Sequence, residues 1–165
     1  MRSLVVGRFQ PVHLGHLKMI EYVAKDSEHL VIGLGSSNQK LSADNPFTAK
    51  EREEMFLGSL KGGKKYELVA IPDFGDDEKW IEWIKENIEF DVFWTNSPNE
   101  RRIFEEAGCR VNHIPLFDRD EYSATEVRRR MLEGGDWRKL VPDGTKAVID
   151  AIDGIGRIAG LIGKG

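Results

Sequence analysis

Two histidines three residues apart, His13 and His16, flank a glycine within Gly7-Arg8-Phe9-Gln10-Pro11-Val12-His13-Leu14-Gly15-His16. The segment follows the apolar run Leu4-Val5-Val6. The order predicts a strand, a Gly/Pro turn, then a helix whose start carries both imidazoles. Free N–H groups at a helix start, with the positive end of its dipole behind them, favour phosphate. Gly15 has no Cβ, which lets a bulky polyanion approach the backbone. His13 falls just before the helix and His16 in its first turn, both within reach of that anion. Arg8 adds a fixed charge on the strand side. The combination predicts a cradle for a triphosphate.

A second motif, Ser123-Ala124-Thr125-Glu126-Val127-Arg128, supplies the other half. Ser123 is placed to cap a helix, with Glu126 three residues later completing a capping box. By itself that is a structural start signal. The same hydroxyl and N–H groups can also hold phosphate oxygens, and Arg128 shares a helix face with Thr125. Arg128, Arg129 and Arg130 point about 100° apart on a helix. Arg128 is therefore assigned to the ligand, and Arg129 and Arg130 to the surface or a subunit contact. His13, His16 and Arg128 are the catalytic candidates.

Two glycine patterns lead elsewhere. Gly33-Leu34-Gly35 begins like a dinucleotide fingerprint but lacks the third glycine and the following helix. It reads as a tight turn. Gly58 to Lys65 nearly spells a P-loop, but Lys65 stands where the magnesium-binding Ser or Thr belongs, and the segment follows a helix. It reads as a helix-ending turn. The sequence shows no carboxylate cluster suited to a metal cage, so no residue is assigned as a metal ligand. A Mg²⁺ ion would arrive on the triphosphate and keep several waters.

The elements that must position these residues alternate. Strands are expected near 2–7, 29–35, 67–72, 91–95 and 110–114, with helices near 15–25, 48–60, 79–88 and 99–107 between them. That alternation predicts an α/β, Rossmann-like parallel sheet with helices on both faces. Ligands of such sheets bind beyond the carboxyl ends of the strands, where Gly7–His16 falls. From about residue 120 the pattern is mainly helical: 123–133, a turn near 136–140, then 144–153. Residues 155–165 read as a packed terminal helix or an oligomer contact. A chain of 165 residues without linkers or repeats is expected to form one domain, 1–165. The net charge of −4 argues against broad nucleic-acid binding. No segment approaches the ~20 apolar residues of a membrane span, and the N-terminal run is too short for a signal peptide. The single cysteine, Cys109, fits a reducing compartment, so a cytoplasmic protein is expected.

Together the two motifs resemble the nucleotidyltransferases marked by His-x-Gly-His and a later Ser-x-Thr-x-x-Arg. The similarity is closest to archaeal-type nicotinamide-nucleotide adenylyltransferases. It is carried by Gly7–Pro11, His13–His16, Asn45-Pro46-Phe47-Thr48-Ala49 with Glu51-Arg52, Pro115–Phe117, Arg119-Asp120, Tyr122–Met131 and Gly135–Arg138, and spans about residues 3 to 155. The resemblance implies transfer of AMP from ATP to nicotinamide mononucleotide (NMN), giving NAD+ and pyrophosphate, with Mg²⁺ and a homo-oligomer, commonly a hexamer. It implies an ATP side formed by Gly7, Arg8, Phe9, Gln10, His13, Gly15, His16, Tyr122, Ser123, Thr125 and Arg128. The NMN side it implies comprises Trp80, Asp73 and Arg119. A Trp face suits a cationic nicotinamide ring, although Trp80 could instead serve as core. Asp44 stands where some relatives carry Arg, and Lys40 is the nearest basic substitute. Two rival readings are a transferase acting on another phosphate, such as phosphopantetheine, and a non-catalytic ATP or NAD sensor.

Overall fold

Among the described residues, short runs rich in Val, Ile and Leu form five parallel strands: β1 (Arg2–Gly7), β2 (His29–Leu34), β3 (Lys65–Ala70), β4 (Val92–Thr95) and β5 (Val111–His113). They lie in the order β3-β2-β1-β4-β5. The order reverses between β1 and β4, the kind of point where such sheets open a ligand crevice. The computed structural model describes residues 1–62, 65–117 and 121–163. Arg119, expected on the NMN side, lies outside the described residues. So do Asp120, Gly63 and Lys64 of the expected glycine turn, and the last two residues.

The helices are α1 (Leu14–Ala24), α2 (Ala49–Leu57), α3 (Asp77–Asn87), α4 (Pro98–Glu106), α5 (Ala124–Glu133), α6 (Asp143–Ile152) and α7 (Gly154–Ile162), with a short 3-10 turn at Arg138–Leu140. The chain forms two compact units, each assembled from three separate segments. The first is Met1–Gly7, Met19–Asn38 and Gly63–Leu116; the second is Arg8–Lys18, Gln39–Gly62 and Phe117–Gly165.

The sheet belongs to the first unit. Its core gathers Leu4, Val31, Ile71 and Phe93 with Ile81, Ile84 and Ile88 of α3 and Ile103 and Phe104 of α4. Phe93 and Phe104 stack with ring centres 3.6 Å apart. The apolar positions of α3 recur at helical spacing and make one buried stripe, which Trp80 and Trp83 border half-buried. Trp94 is buried and donates from its indole N–H to Ser3 Oγ at 3.1 Å. β3 begins two residues earlier than expected because it pairs with β2 along its whole length, His29 opposite Lys65 through Leu34 opposite Ala70. Pro72, which has no N–H, falls beyond its end. Gly33 lies inside β2 and a turn follows, with no helix, as expected.

In the second unit α2 crosses α6 at two glycines. A Cβ on Gly58 would stand 2.8 Å from Gly144 Cα, and one on Gly144 would stand 2.5 Å from Ser59 Oγ and closer still to the Met55 carbonyl. Trp137 is buried beneath the guanidinium of Arg138, 4.6 Å from its ring centre. Residues 154–162 form the packed helix that was one of the two expectations, with Ile158 buried.

Candidate active site

The histidine segment and the Ser123–Arg128 motif both lie in the second unit. His13 precedes α1 and His16 is its third residue. Each imidazole accepts the other's backbone amide. His13 N–H donates to His16 Nδ1 at 3.1 Å, and His16 N–H donates to His13 Nδ1 at 3.3 Å. This is the reciprocal logic of a capping box, written with rings in place of Ser and Glu. The rings stack with centres 3.5 Å apart. With Nδ1 accepting, the ring proton of each neutral imidazole belongs on Nε2, which becomes the donor. Burial lowers the pKa of His13 to about 4. Burial, then the neighbouring His13, holds His16 well below its usual value. At neutral pH the site therefore presents two uncharged N–H donors.

Gly15 also has a packing role within the protein. A Cβ there would meet His13 Cε1 at 2.9 Å, His13 Nδ1 at 3.0 Å and Tyr122 Cβ at 3.0 Å. The space is filled by protein, so the missing side chain lets the His13 ring and Tyr122 settle against the helix start. Phe9 sits in the left-handed region, φ +49°, a strain of about 1–3 kcal/mol for a residue with a side chain. Its buried ring meets His16 and Phe56 edge-on, each with centres 4.8 Å apart. The Gln10–Pro11 bond is cis.

Gln10 is a clamp. Its amide NH2 donates to Asn45 Oδ1 at 2.7 Å and to the Phe47 carbonyl at 2.9 Å, and its Oε1 accepts Phe47 N–H at 2.9 Å. The Gln10 carbonyl accepts Arg128 Nη1 at 2.7 Å, while Arg128 Nη2 stands 3.7 Å from the exposed Asp44 carboxylate. Burial lowers the pKa of Arg128, Asp44 partly offsets this, and the charge of Arg8 lowers it further. Arg8 likewise adds to the burial that brings Arg52 down to about 10. The charge of Arg8 is thus felt by both Arg52 and Arg128, and clustered positive charge favours a polyanion.

Ser123 caps α5, accepting Glu126 N–H at 3.0 Å. The expected capping box is only half formed: the Glu126 carboxylate instead binds Arg129 and Arg130. Arg129 is thereby exposed and Arg130 half-buried, and Arg128 alone of the three turns to Gln10. Thr125 is exposed, and Tyr122 lies under Lys18 Nζ, 4.9 Å from the ring centre. Gly7 ends β1 in the first unit, its carbonyl accepting Gly35 N–H at 2.8 Å. Trp80 and Asp73 also belong to the first unit. Trp80 meets Phe104 edge-on, centres 5.7 Å apart, which leaves it half-buried. Asp73 exchanges two hydrogen bonds with Asn38 through its backbone, and its carboxylate accepts Gly75 N–H at 2.9 Å.

Sequence reasoning gave Arg52 and Thr145 no role. Arg52 is fully buried and donates to the Arg8 carbonyl at 2.7 Å, fixing the segment between β1 and the histidines. Its signal was available: a charge sharing a helix face with Met55 and Phe56. Thr145 Oγ1 donates to the Val12 carbonyl at 2.9 Å, one residue before His13. Among the described residues no group of three or more His, Cys, Asp or Glu side chains stands together to hold a metal ion.

Residues 4–130 match the cytidylyltransferase-like family. The chain is 40% identical to nicotinamide-nucleotide adenylyltransferase of Archaeoglobus fulgidus, covering 99% of both chains. It is 43% identical to the protein of the same name from Thermococcus sibiricus, covering 96% of this chain and 88% of that one. Among solved structures, a bifunctional NMN adenylyltransferase/ADP ribose pyrophosphatase from Francisella tularensis shares the fold with a TM-score of 0.77 at 20% identity, covering 98% of this chain and 52% of that one. A second structure of that bifunctional protein, complexed with AMP and a manganese ion, matches with a TM-score of 0.75 at 21% identity, covering 95% of this chain and 51% of that one. This chain thus spans about half the length of the bifunctional protein.

Proposed function

The chain belongs to the cytidylyltransferase-like family, among its archaeal nicotinamide-nucleotide adenylyltransferases, and from that premise we propose that it transfers AMP from ATP to NMN in NAD synthesis. The NMN phosphate oxygen attacks the α-phosphorus of ATP, the bond from that phosphorus to the bridging oxygen breaks, and pyrophosphate leaves. A phosphate monoester is already ionised near neutrality, so the step needs positioning and charge stabilisation more than a base. The observation that carries the reading is the reciprocal histidine cap, which fixes two neutral Nε2–H donors in the same unit as Arg8, Arg52 and Arg128.

In this mechanism His13 and His16 donate to oxygens of the α- and β-phosphates as charge grows on the bridging oxygen. They do so as hydrogen-bond donors and not as acids, because burial keeps both rings uncharged. Arg128, oriented by the Gln10 carbonyl, holds phosphate together with Arg8. Ser123 and the first amides of α5 supply further donors. On the acceptor side the proposal assigns Trp80, Asp73 and Arg119, with the Trp80 face opposite the cationic ring. A Mg²⁺ ion carried by the triphosphate supplies charge neutralisation. Self-association into a hexamer and action in the cytoplasm belong to the same proposal.

The test is pyrophosphate release from Mg²⁺-ATP with NMN, its acid form and phosphopantetheine offered separately. NAD+ should form from NMN. His16→Ala should keep ATP binding but lose on the order of 10²–10³ in kcat, the usual cost of one such donor. A variant within twofold of wild type would refute the assigned role. Release with phosphopantetheine alone would keep the chemistry and overturn the acceptor assignment. ATP binding with no release would favour a sensor.

A further inference from the structure

Helix α7 contributes no residue to the phosphate cradle, yet its Arg157 reaches the loop that orders it. Arg157 Nη1 donates to the Pro46 carbonyl at 3.1 Å and to Glu51 Oε1 at 2.6 Å. The same Glu51 oxygen accepts Thr48 N–H at 2.8 Å, closing the capping box of α2, and Thr48 Oγ1 accepts Glu51 N–H at 3.1 Å. Burial alone would raise the Glu51 pKa, but the Arg157 and Thr48 bonds bring it down overall, so the carboxylate is held charged. Side chains of Arg157 and Glu51 are 25% and 14% exposed, which shields the pair from the screening that weakens surface ion pairs.

The loop between them has little structure of its own. Between residues 39 and 48 the backbone forms only an isolated bridge, Ser42 to Asn45, and turns. Asn45, Pro46 and Phe47 are buried, and side-chain bonds from outside add to that packing in fixing the geometry: Gln10 at Asn45 and Phe47, and Arg157 at Pro46 and Glu51. Gln10, gripped by this loop, is the residue whose carbonyl receives Arg128. All of these residues lie in the second unit.

We propose that Arg157 is a positioning residue: it fixes the Asn45–Thr48 loop and, through Gln10, the Arg128 guanidinium in the geometry that holds the triphosphate. The inference rests on ATP being the ligand of the cradle. Without Arg157 the loop regains conformations, Gln10 loses a fixed partner, and Arg128 is no longer aimed. A small misplacement of such a group is felt strongly at the ligand.

Arg157→Met, Arg157→Lys and Glu51→Gln should be compared with wild type for kcat, for KM toward ATP and NMN separately, and for thermal midpoint. Arg157→Met should raise the ATP KM on the order of tenfold, leaving the NMN KM close to wild type. Arg157→Lys, which keeps the charge and can reach one partner, should recover part of the loss. Glu51→Gln should raise the ATP KM in the same direction, and the double variant should be no worse than Arg157→Met. An unchanged ATP KM with a lowered midpoint would make Arg157 a structural staple and overturn the proposal. If Arg157→Met fails to fold, Glu51→Gln decides, and an unchanged ATP KM there also overturns it. If wild type is silent with ATP and NMN, the assigned reaction falls, and calorimetric Kd values for ATP then test Arg157. Equal values for wild type and Arg157→Met would refute it.

Discussion

Protonating His13 or His16 would put a hydrogen on the Nδ1 that already accepts a backbone amide, and burial opposes the charge as well. The folded chain therefore releases the His13 proton at a pH of about 4, against the ordinary histidine value of 6.5 that holds when the chain is unfolded. Because the folded pKa is the lower one, the unfolded state binds the proton first as pH falls. This contribution to stability is complete above about pH 6.5 and is lost progressively toward pH 4. His13 alone should account for about 2 kcal/mol between pH 7.5 and pH 5. Urea midpoints across that range should fall for wild type and fall less for a His13→Asn, His16→Asn variant. An identical slope in both would place the titrating groups elsewhere.

At the scale of elements, the crossing of α2 and α6 leaves no room for a single methyl group. Gly144→Ala would press its Cβ on the Met55 carbonyl and Ser59 Oγ, and backbone cannot turn aside as a flexible side chain can. Overpacking of this kind costs about 1–3 kcal/mol. The thermal midpoint should drop by roughly 2–12 °C, and an unchanged midpoint would mean the helices separate freely. Such constraints mark the boundary of what a sequence reveals. The alternation of strands and helices was legible because apolar periodicity is local, and so was the histidine motif, whose partners are three residues apart. Arg52 and Arg8, Thr145 and Val12, and Arg157 and Glu51 are 44, 133 and 106 residues apart. Their pairing is decided by packing, which no local pattern encodes. The Ser123 motif was half legible: its cap formed, but Glu126 had two nearer cations to satisfy.

For the molecule as a whole, the net charge is −4, yet Arg8, Arg52 and Arg128 lie in the unit that carries the histidines, and the charge of Arg8 is felt by the other two. The field is local, suited to a small polyanion rather than a long one. With no cluster of metal-ligating side chains among the described residues, the divalent ion is expected to travel with the nucleotide. A chelator should then abolish turnover while ATP still binds, with Kd within about tenfold of its metal-loaded value, measured by calorimetry. Loss of all binding would point to an ion held by the protein. The reciprocal histidine cap also bears on entropy. Each ring's tautomer and rotation are set by an amide three residues away, so the donors are already ordered when the nucleotide arrives. The disorder of these side chains is removed as the chain folds, and docking has only the ligand left to immobilise.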